Sequence, residues 1–249
     1  MCVIVTENLC KVFPRSDGTE NRAVDGLSFR VNRGQIYGLL GPNGAGKTTT
    51  LRMLCGLMKP TSGTALVNGI DVARQPAAVK RDIGFLTANT GLYQRLSPRE
   101  LLIYFAELHQ MDISDARRRV DYLIDWLDMS DFADARCGAL STGQRQRTSI
   151  ARALIGDPSV LIMDEPTLGL DVLSNRIILD FIRRERQAGK TIMLSTHYLD
   201  EAELLCDHIG LLNDGRMMRE GTLDELRRAS GRRRLSDIFL TLAESADVS

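Results

Sequence analysis

The sequence predicts an α/β fold: a largely parallel sheet covered by helices, with a helical lobe inserted as a second part. Three observations predict it. Short apolar, β-branched runs alternate with helical patterns in both halves of the chain. A glycine-rich loop joins one of these runs to a helix at residues 41–49. Between residues 88 and 156 the strand signals stop and amphipathic helical periodicity takes over.

Taken in order, residues 3–5, 27–31 and 35–40 are strand-like, and a helix pattern runs from 47 to 57. Residues 64–68 form a further short β segment between Gly63 and Gly69, and 83–86 another. In the helical stretch, Pro98 opens a helix with Ser97 as its N-cap. Val120, Leu123, Ile124 and Leu127 share one face of a second helix over 114–127, and residues 143–155 make a third. The β/α alternation then resumes. Residues 160–163 are continuously apolar, as in a strand buried on both faces. Helices over 173–187, 198–205 and 222–229 alternate with a strand at 191–195 and a hairpin, 209–212 with 216–219, turning on Asn213-Asp-Gly215. The expected organisation is one domain over 1–230, with a core of 1–87 and 157–230, a helical subdomain of 88–156, and a poorly ordered C-terminal tail over 231–249.

Composition removes several functions. Lys plus Arg and Asp plus Glu are each 32, so no net charge drives bulk attraction to nucleic acid. Aromatic residues at 5% argue against stacking platforms for single strands. No apolar run approaches the roughly 18 residues that cross a bilayer, and the first residues carry no secretory-signal pattern. The five cysteines, Cys2, Cys10, Cys55, Cys137 and Cys206, are odd in number and form no C-x-x-C pair. They read as unpaired thiols in a reducing compartment, several of them buried, rather than as a zinc ribbon.

The sharpest local signal is Gly41-Pro-Asn-Gly-Ala-Gly-Lys-Thr-Thr49, which fits G-x-x-x-x-G-K-[ST] between a strand and a helix. Glycines let backbone N–H groups turn toward one point, and the helix that follows adds the positive end of its dipole. Lys47 supplies a point charge for the β- and γ-phosphates of a nucleotide, and the Thr48 hydroxyl is placed to hold Mg²⁺. Downstream, the apolar strand Val160-Leu-Ile-Met163 ends in Asp164 and Glu165. Ligands of α/β sheets sit outside the carboxyl ends of strands. Asp164 is therefore expected at the Mg²⁺ shell, and Glu165 within reach of the water that attacks a γ-phosphate. Two adjacent carboxylates at a buried strand end need a cation to compensate them.

Further motifs follow in order. Leu140-Ser-Thr-Gly-Gln-Arg-Gln-Arg147 is similar to the signature motif of the ATP-binding subunits of ABC transporters. Glu165 is similar to their catalytic glutamate, Gly169-Leu-Asp171 to their D-loop, and His197 in Ser195-Thr-His197 to their switch histidine. Phe13, in Lys11-Val-Phe13, stands where the family stacks an aromatic on adenine. The resemblance covers residues 3 to about 225. It implies a P-loop NTPase core with an antiparallel β portion near the N-terminus, using ATP and Mg²⁺. Lys47, Glu165 and His197 would be catalytic. Phe13, Gly41, Pro42, Asn43, Gly44, Ala45, Gly46, Lys47, Thr48, Thr49, Ser141, Gly143 and Gln144 would bind nucleotide, and Thr48 and Asp164 would hold the metal. Two subunits would pair head to tail, each ATP lying between Lys47 of one and Ser141 of the other. The dimer would sit on a separate transmembrane permease at the cytoplasmic face of the membrane, with no nucleic-acid partner.

Two departures stand out. Thr142 replaces the usual signature glycine, putting a β-branched side chain near the phosphate. Ala88 occupies the place of the Q-loop glutamine, and Thr87 or Asn89 is the available holder of metal-bound water. Gly84-Phe-Leu-Thr87, Thr90-Gly-Leu-Tyr93 and Arg95-Leu-Ser-Pro-Arg-Glu100 look like the sodium-extrusion, NatA-type ATPases of bacteria. Three alternatives stay open: an exporter ATPase for drugs or other small molecules, a non-transport ATPase acting on DNA or ribosomes, and a weakly active subunit that pairs with a different cassette. Trp126 and Tyr122 are expected to pack the helical lobe, and His109 and His208 to be structural or surface residues. Arg227, Arg228, Arg232, Arg233 and Arg234 read as a solvated helix end, or as a contact for anionic lipid or a partner loop.

Overall fold

The computed structural model describes residues 1–16, 18–87 and 91–246. Ala88, Asn89 and Thr90 lie outside the described residues. Two sheets organise the chain. The larger one is built from β3 (Ile36–Leu40), β6 (Ile83–Thr87), β7 (Val160–Asp164), β8 (Thr191–Thr196), β9 (His208–Asn213) and β10 (Arg216–Gly221), in the order β10-β9-β3-β8-β7-β6. All neighbours pair in parallel except the β9–β10 hairpin. Strands β3, β7 and β8 are buried along their whole length. This explains their continuous apolar runs, because both faces of a parallel sheet are covered.

The alternation within those strands divides the core. Leu161 and Met163 face one layer with α3 (Pro98–Leu108), α4 (Ile113–Trp126), α5 (Thr142–Leu154) and α6 (Val172–Gln187). Val160 and Ile162 face the other layer, where α1 (Lys47–Leu54) contributes Leu51, Met53 and Leu54. Over α1 lies the second sheet, antiparallel and ordered β2-β1-β4-β5, with β1 at Cys2–Pro14, β2 at Glu20–Asn32, β4 at Ser62–Val67 and β5 at Ile70–Asp71. Trp126 lies between Tyr122 and Phe181 at ring distances of 6.0 and 5.5 Å and packs, partly buried, against the helical layer, whereas Tyr122 is exposed. All five cysteines are free, with Cys55 and Cys137 buried.

Several elements differ from the sequence expectation, each for a physical reason. Strands β1 and β2 extend to 13 residues each, well beyond 3–5 and 27–31. Their pairing slips at four places, and Asn8 has φ 48°; such bulges erase the period-two pattern that marks a strand. Helix α1 stops at Leu54 rather than 57. Gly56 has φ 63°, its N–H donates to Met53 O, and Leu57 N–H donates to Arg52 O at 3.0 Å, which closes the last turn. A short helix, α2 (Pro76–Asp82), was not expected, since only Val79 is buried on it.

The C-terminal segment is a correction. Residues 231–249 were expected to be a poorly ordered tail. Instead α9 (Leu235–Ala246) packs against α7 (Leu199–Leu205), α8 (Leu223–Ser230) and the end of β3. Leu235 and Ile238 are fully buried beside Leu40, Ala202 and Leu211. The signal was in the sequence: Leu235, Ile238, Phe239 and Leu242 recur at helical spacing. We predict that Ile238→Ala lowers unfolding stability by about 2–5 kcal/mol in a denaturant titration. A change within about 0.5 kcal/mol, as for an exposed surface position, would mean that α9 is not part of the core.

Candidate active site

Register places the site. In the parallel sheet Leu40 pairs with Thr196, Ser195 with Asp164, and Asp164 with Thr87, so the carboxyl ends of β3, β8, β7 and β6 form one row. The glycine-rich loop leaves β3 from this row and enters α1. Its shape requires glycine at two positions. Gly46 is the N-cap of α1 with φ 95°, and a Cβ there would lie 2.3 Å from the Ala23 carbonyl oxygen. Gly41 has no room for a Cβ either, because Leu212 O would be 2.3 Å away. Helix α1 therefore starts with its N–H groups and its positive end open to the loop.

Lys47 opens that helix and is only 6% exposed. Its Nζ donates to Gly41 O at 2.7 Å and Pro42 O at 3.1 Å, and Glu165 Oε1 is 3.8 Å away. Burial pushes the ammonium below its ordinary value, and the carboxylates of Glu165 and then Asp164 oppose that push. Next to it, Asp164 Oδ1 accepts from Thr48 Oγ1 at 3.0 Å and from Ser195 Oγ at 2.6 Å. Glu165 has φ 51°, an uncommon conformation for a side-chain-bearing residue. It turns the chain out of β7 while Glu165 N–H still donates to Ser195 O. Its Oε2 lies 2.8 Å from His197 Nδ1, and the His197 ring rests on Tyr198 at 4.1 Å between centroids.

A cleft of 330 Å³ collects Phe13, Asn21 and Ala23, the loop residues 43–49, and Glu165. Phe13 stands at its rim with Lys11 Nζ 5.2 Å from the ring centre. Asn43, Gly44, Ala45, Gly46, Lys47, Thr48 and Thr49 thus share one cavity with Phe13 and Glu165. Gly41, Pro42 and His197 line an adjoining one. The donor set suits a hard cation: the Thr48 hydroxyl and Asp164 carboxylate offer oxygen only, as Mg²⁺ requires. No group of three or more His, Cys, Asp or Glu that could hold a metal ion occurs among the described residues.

Ser141, Gly143 and Gln144 are not in this cleft. They begin α5, where Ser141 Oγ accepts from Gln144 N–H at 3.3 Å and Gln144 Oε1 accepts from Ser141 N–H at 2.9 Å. Ser141 and Thr142 are exposed. Gly143 has a packing reason of its own: a Cβ would come within 2.5 Å of Ser174 Oγ on α6. The Thr142 hydroxyl accepts from Arg145 at 3.3 Å. Asp171 N-caps α6 through Leu173 and Ser174 N–H, and Leu168, Val172 and Leu173 around it are exposed. Ser195 was missed as a partner of Asp164 although it stands two residues before His197. Gln146 was missed too: it is buried and donates to Pro166 O at 2.6 Å, tying α5 to the loop after Glu165.

Strand, loop and helix in this arrangement define an α/β protein that binds nucleotide phosphate. A family model described as ABC transporter matches residues 24–168, more than half of the chain. The ATP-binding protein NatA of Bacillus subtilis is 39% identical over 88% of this chain and 90% of its own length. The daunorubicin resistance ATP-binding protein DrrA3 of Streptomyces coeruleorubidus is 41% identical over 90% and 72%. The fold matches the dimeric, post-hydrolysis ATP-binding cassette MJ0796, bound to ADP and Pi, at TM-score 0.81 and 26% identity over 88% of this chain and 98% of that one.

This chain belongs to the ABC transporter family and is an ATP-binding subunit of it, an ATPase. No helix among the described residues is long and apolar enough to cross a membrane.

We predict that Gly46→Ala weakens ATP binding at least tenfold in calorimetry, because the loop must move away from Ala23 O and leave its left-handed conformation. An affinity within twofold of wild type would show that the loop geometry is not what holds the phosphates.

Proposed function

We propose that this subunit hydrolyses ATP at the cleft around Lys47 and Glu165 to power export through a separate membrane subunit. The observation that carries the reading is the Glu165 carboxylate, which lies 2.8 Å from His197 and 3.8 Å from the Lys47 ammonium at the mouth of the phosphate loop. In this reading the loop amides and Lys47 neutralise the triphosphate, and Phe13 stacks on the adenine. Glu165 orients the attacking water and takes its proton. His197 holds Glu165 through Nδ1 and faces the γ-phosphate. Thr48 and Asp164 would hold Mg²⁺, which supplies charge neutralisation for the β- and γ-phosphate oxygens when bound.

The second half of the site comes from another copy. Ser141 caps an exposed helix N-terminus, whose positive end favours an anion, with no phosphate loop of its own chain in the same cleft. The exposed Leu168, Val172 and Leu173 support a partner covering that face. ATP then bridges Lys47 of one copy and Ser141 of the other, and hydrolysis releases the bridge. Thr87, in register with Asp164, is the nearest described candidate to stand in for the Q-loop glutamine.

Sodium ions are the cargo favoured by the segment 84–100 and by the relationship to NatA. The relationship to DrrA3 favours a second reading, export of a drug. In either reading the subunit works on the cytoplasmic face of a membrane.

Glu165→Gln is expected to keep ATP affinity within about threefold and to lower turnover at least 100-fold, with an ATP-dependent dimer visible by light scattering. Near-normal hydrolysis would remove Glu165 from the mechanism. In vesicles carrying this chain and its membrane subunit, ATP should drive radioactive sodium transport and leave daunorubicin unmoved. The reverse result supports the drug reading.

A further inference from the structure

Helix α9 reaches the active site. A cavity of 110 Å³ is lined by Gly41 and Pro42 of the phosphate loop, His197 after β8, Leu199 at the start of α7, and Phe239 on α9. The same Gly41 and Pro42 present the carbonyls that accept from Lys47. One aromatic ring from the far end of the chain therefore borders both the switch histidine and the loop that carries the lysine.

The placement of that ring is anchored twice. Leu235 and Ile238, on the same helix face, are buried against Leu40 and Ala202. Glu203 on α7 accepts from the backbone N–H of Leu235 at 2.5 Å and from Arg227 at 3.1 Å. Helix α7 begins directly after the His197–Tyr198 pair. Helix α9 is thus fastened to the element that carries the histidine, and Phe239 is half-buried where it meets the cavity.

His197 itself is loosely held. Its side chain is 38% exposed, with one hydrogen bond from the ring, to Glu165, and a tilted contact with Tyr198. The space of 110 Å³ beside it is large enough to admit water, so the ring is not closely packed on that side. We infer that Phe239 is a positioning residue for ATP hydrolysis. Its ring walls that space, restricts the imidazole's rotamers, and keeps Nδ1 on Glu165 and the ring beside the phosphate loop. Misplacing a catalytic group by about 1 Å costs on the order of 100-fold in rate, so partial freedom of His197 should be visible in turnover. The inference rests on the proposed role of His197.

The test uses the full chain carrying Phe239→Ala or Phe239→Leu. Steady-state ATPase assays are combined with nuclear magnetic resonance of ¹⁵N-labelled histidine rings. The chain has three histidines, His109, His197 and His208, so each ring can be followed separately. In Phe239→Ala we expect kcat to fall about tenfold with KM for ATP within twofold. The His197 ring signals should shift and broaden while those of His109 stay in place. Phe239→Leu keeps an apolar side chain against the core. It should fold even where the alanine variant does not, show a smaller shift of His197, and recover most of kcat. Unchanged His197 signals in either folded variant overturn the inference. His197→Ala separates the two levels: wild-type turnover in that variant rejects the role of His197 in hydrolysis, while the ring signals alone still decide whether Phe239 positions it.

Discussion

The Lys47 ammonium, buried at the carboxyl end of the sheet, is the charge around which the other groups are arranged. A buried charge must be paired or hydrogen-bonded. Lys47 reaches two backbone carbonyls and sits 3.8 Å from one carboxylate. Those carbonyls belong to the loop that runs into the N-terminus of α1, the positive end of that helix. The result is a concave surface with a buried cation at its centre, beside the positive end of a helix. An anion of several charges satisfies this surface better than water does.

Much of the fold serves to hold that surface still. Strand β3 is buried on both faces and flanked by β8 and β9, so the loop leaves a rigid support. Parallel register then sets Asp164, Ser195 and Thr196 beside it without any loop having to carry them. The antiparallel sheet covers α1 from the other side, and its Ala23 carbonyl fills the space a Cβ at Gly46 would need. The helical layer with α5 and α6 holds Ser141 and Asp171 on exposed helix N-termini, away from the cleft of their own chain. In the proposed dimer, such a division would give each chain half of a nucleotide site on two different faces.

The parts written in local chemistry were readable from the sequence. The strand–loop–helix around Lys47, the buried run before Asp164, and the N-cap Ser97 all show themselves through spacing and residue type. The family motifs added the expectation of a dimer and of a separate permease, which no periodicity contains. What escaped was set by tertiary contact. Strands β1 and β2 are broken by bulges, so their alternation is lost. Ser195 matters only because register sets it against Asp164. Helix α9 follows three arginines, and that polar run hid an apolar stripe that only packing on α7 makes stable. Gly143 looked like a phosphate-contact glycine, and it also lies close to the Ser174 hydroxyl of α6.

The most direct measurement is a crystal structure with Mg²⁺ and a non-hydrolysable ATP analogue. The account predicts the β- and γ-phosphates inside the 330 Å³ cleft, with Lys47 Nζ turned from Gly41 O and Pro42 O onto phosphate oxygens. It also predicts Ser141 of a second copy closing the site. A nucleotide bound elsewhere, or a lysine still resting on its own carbonyls beside an empty loop, would contradict it.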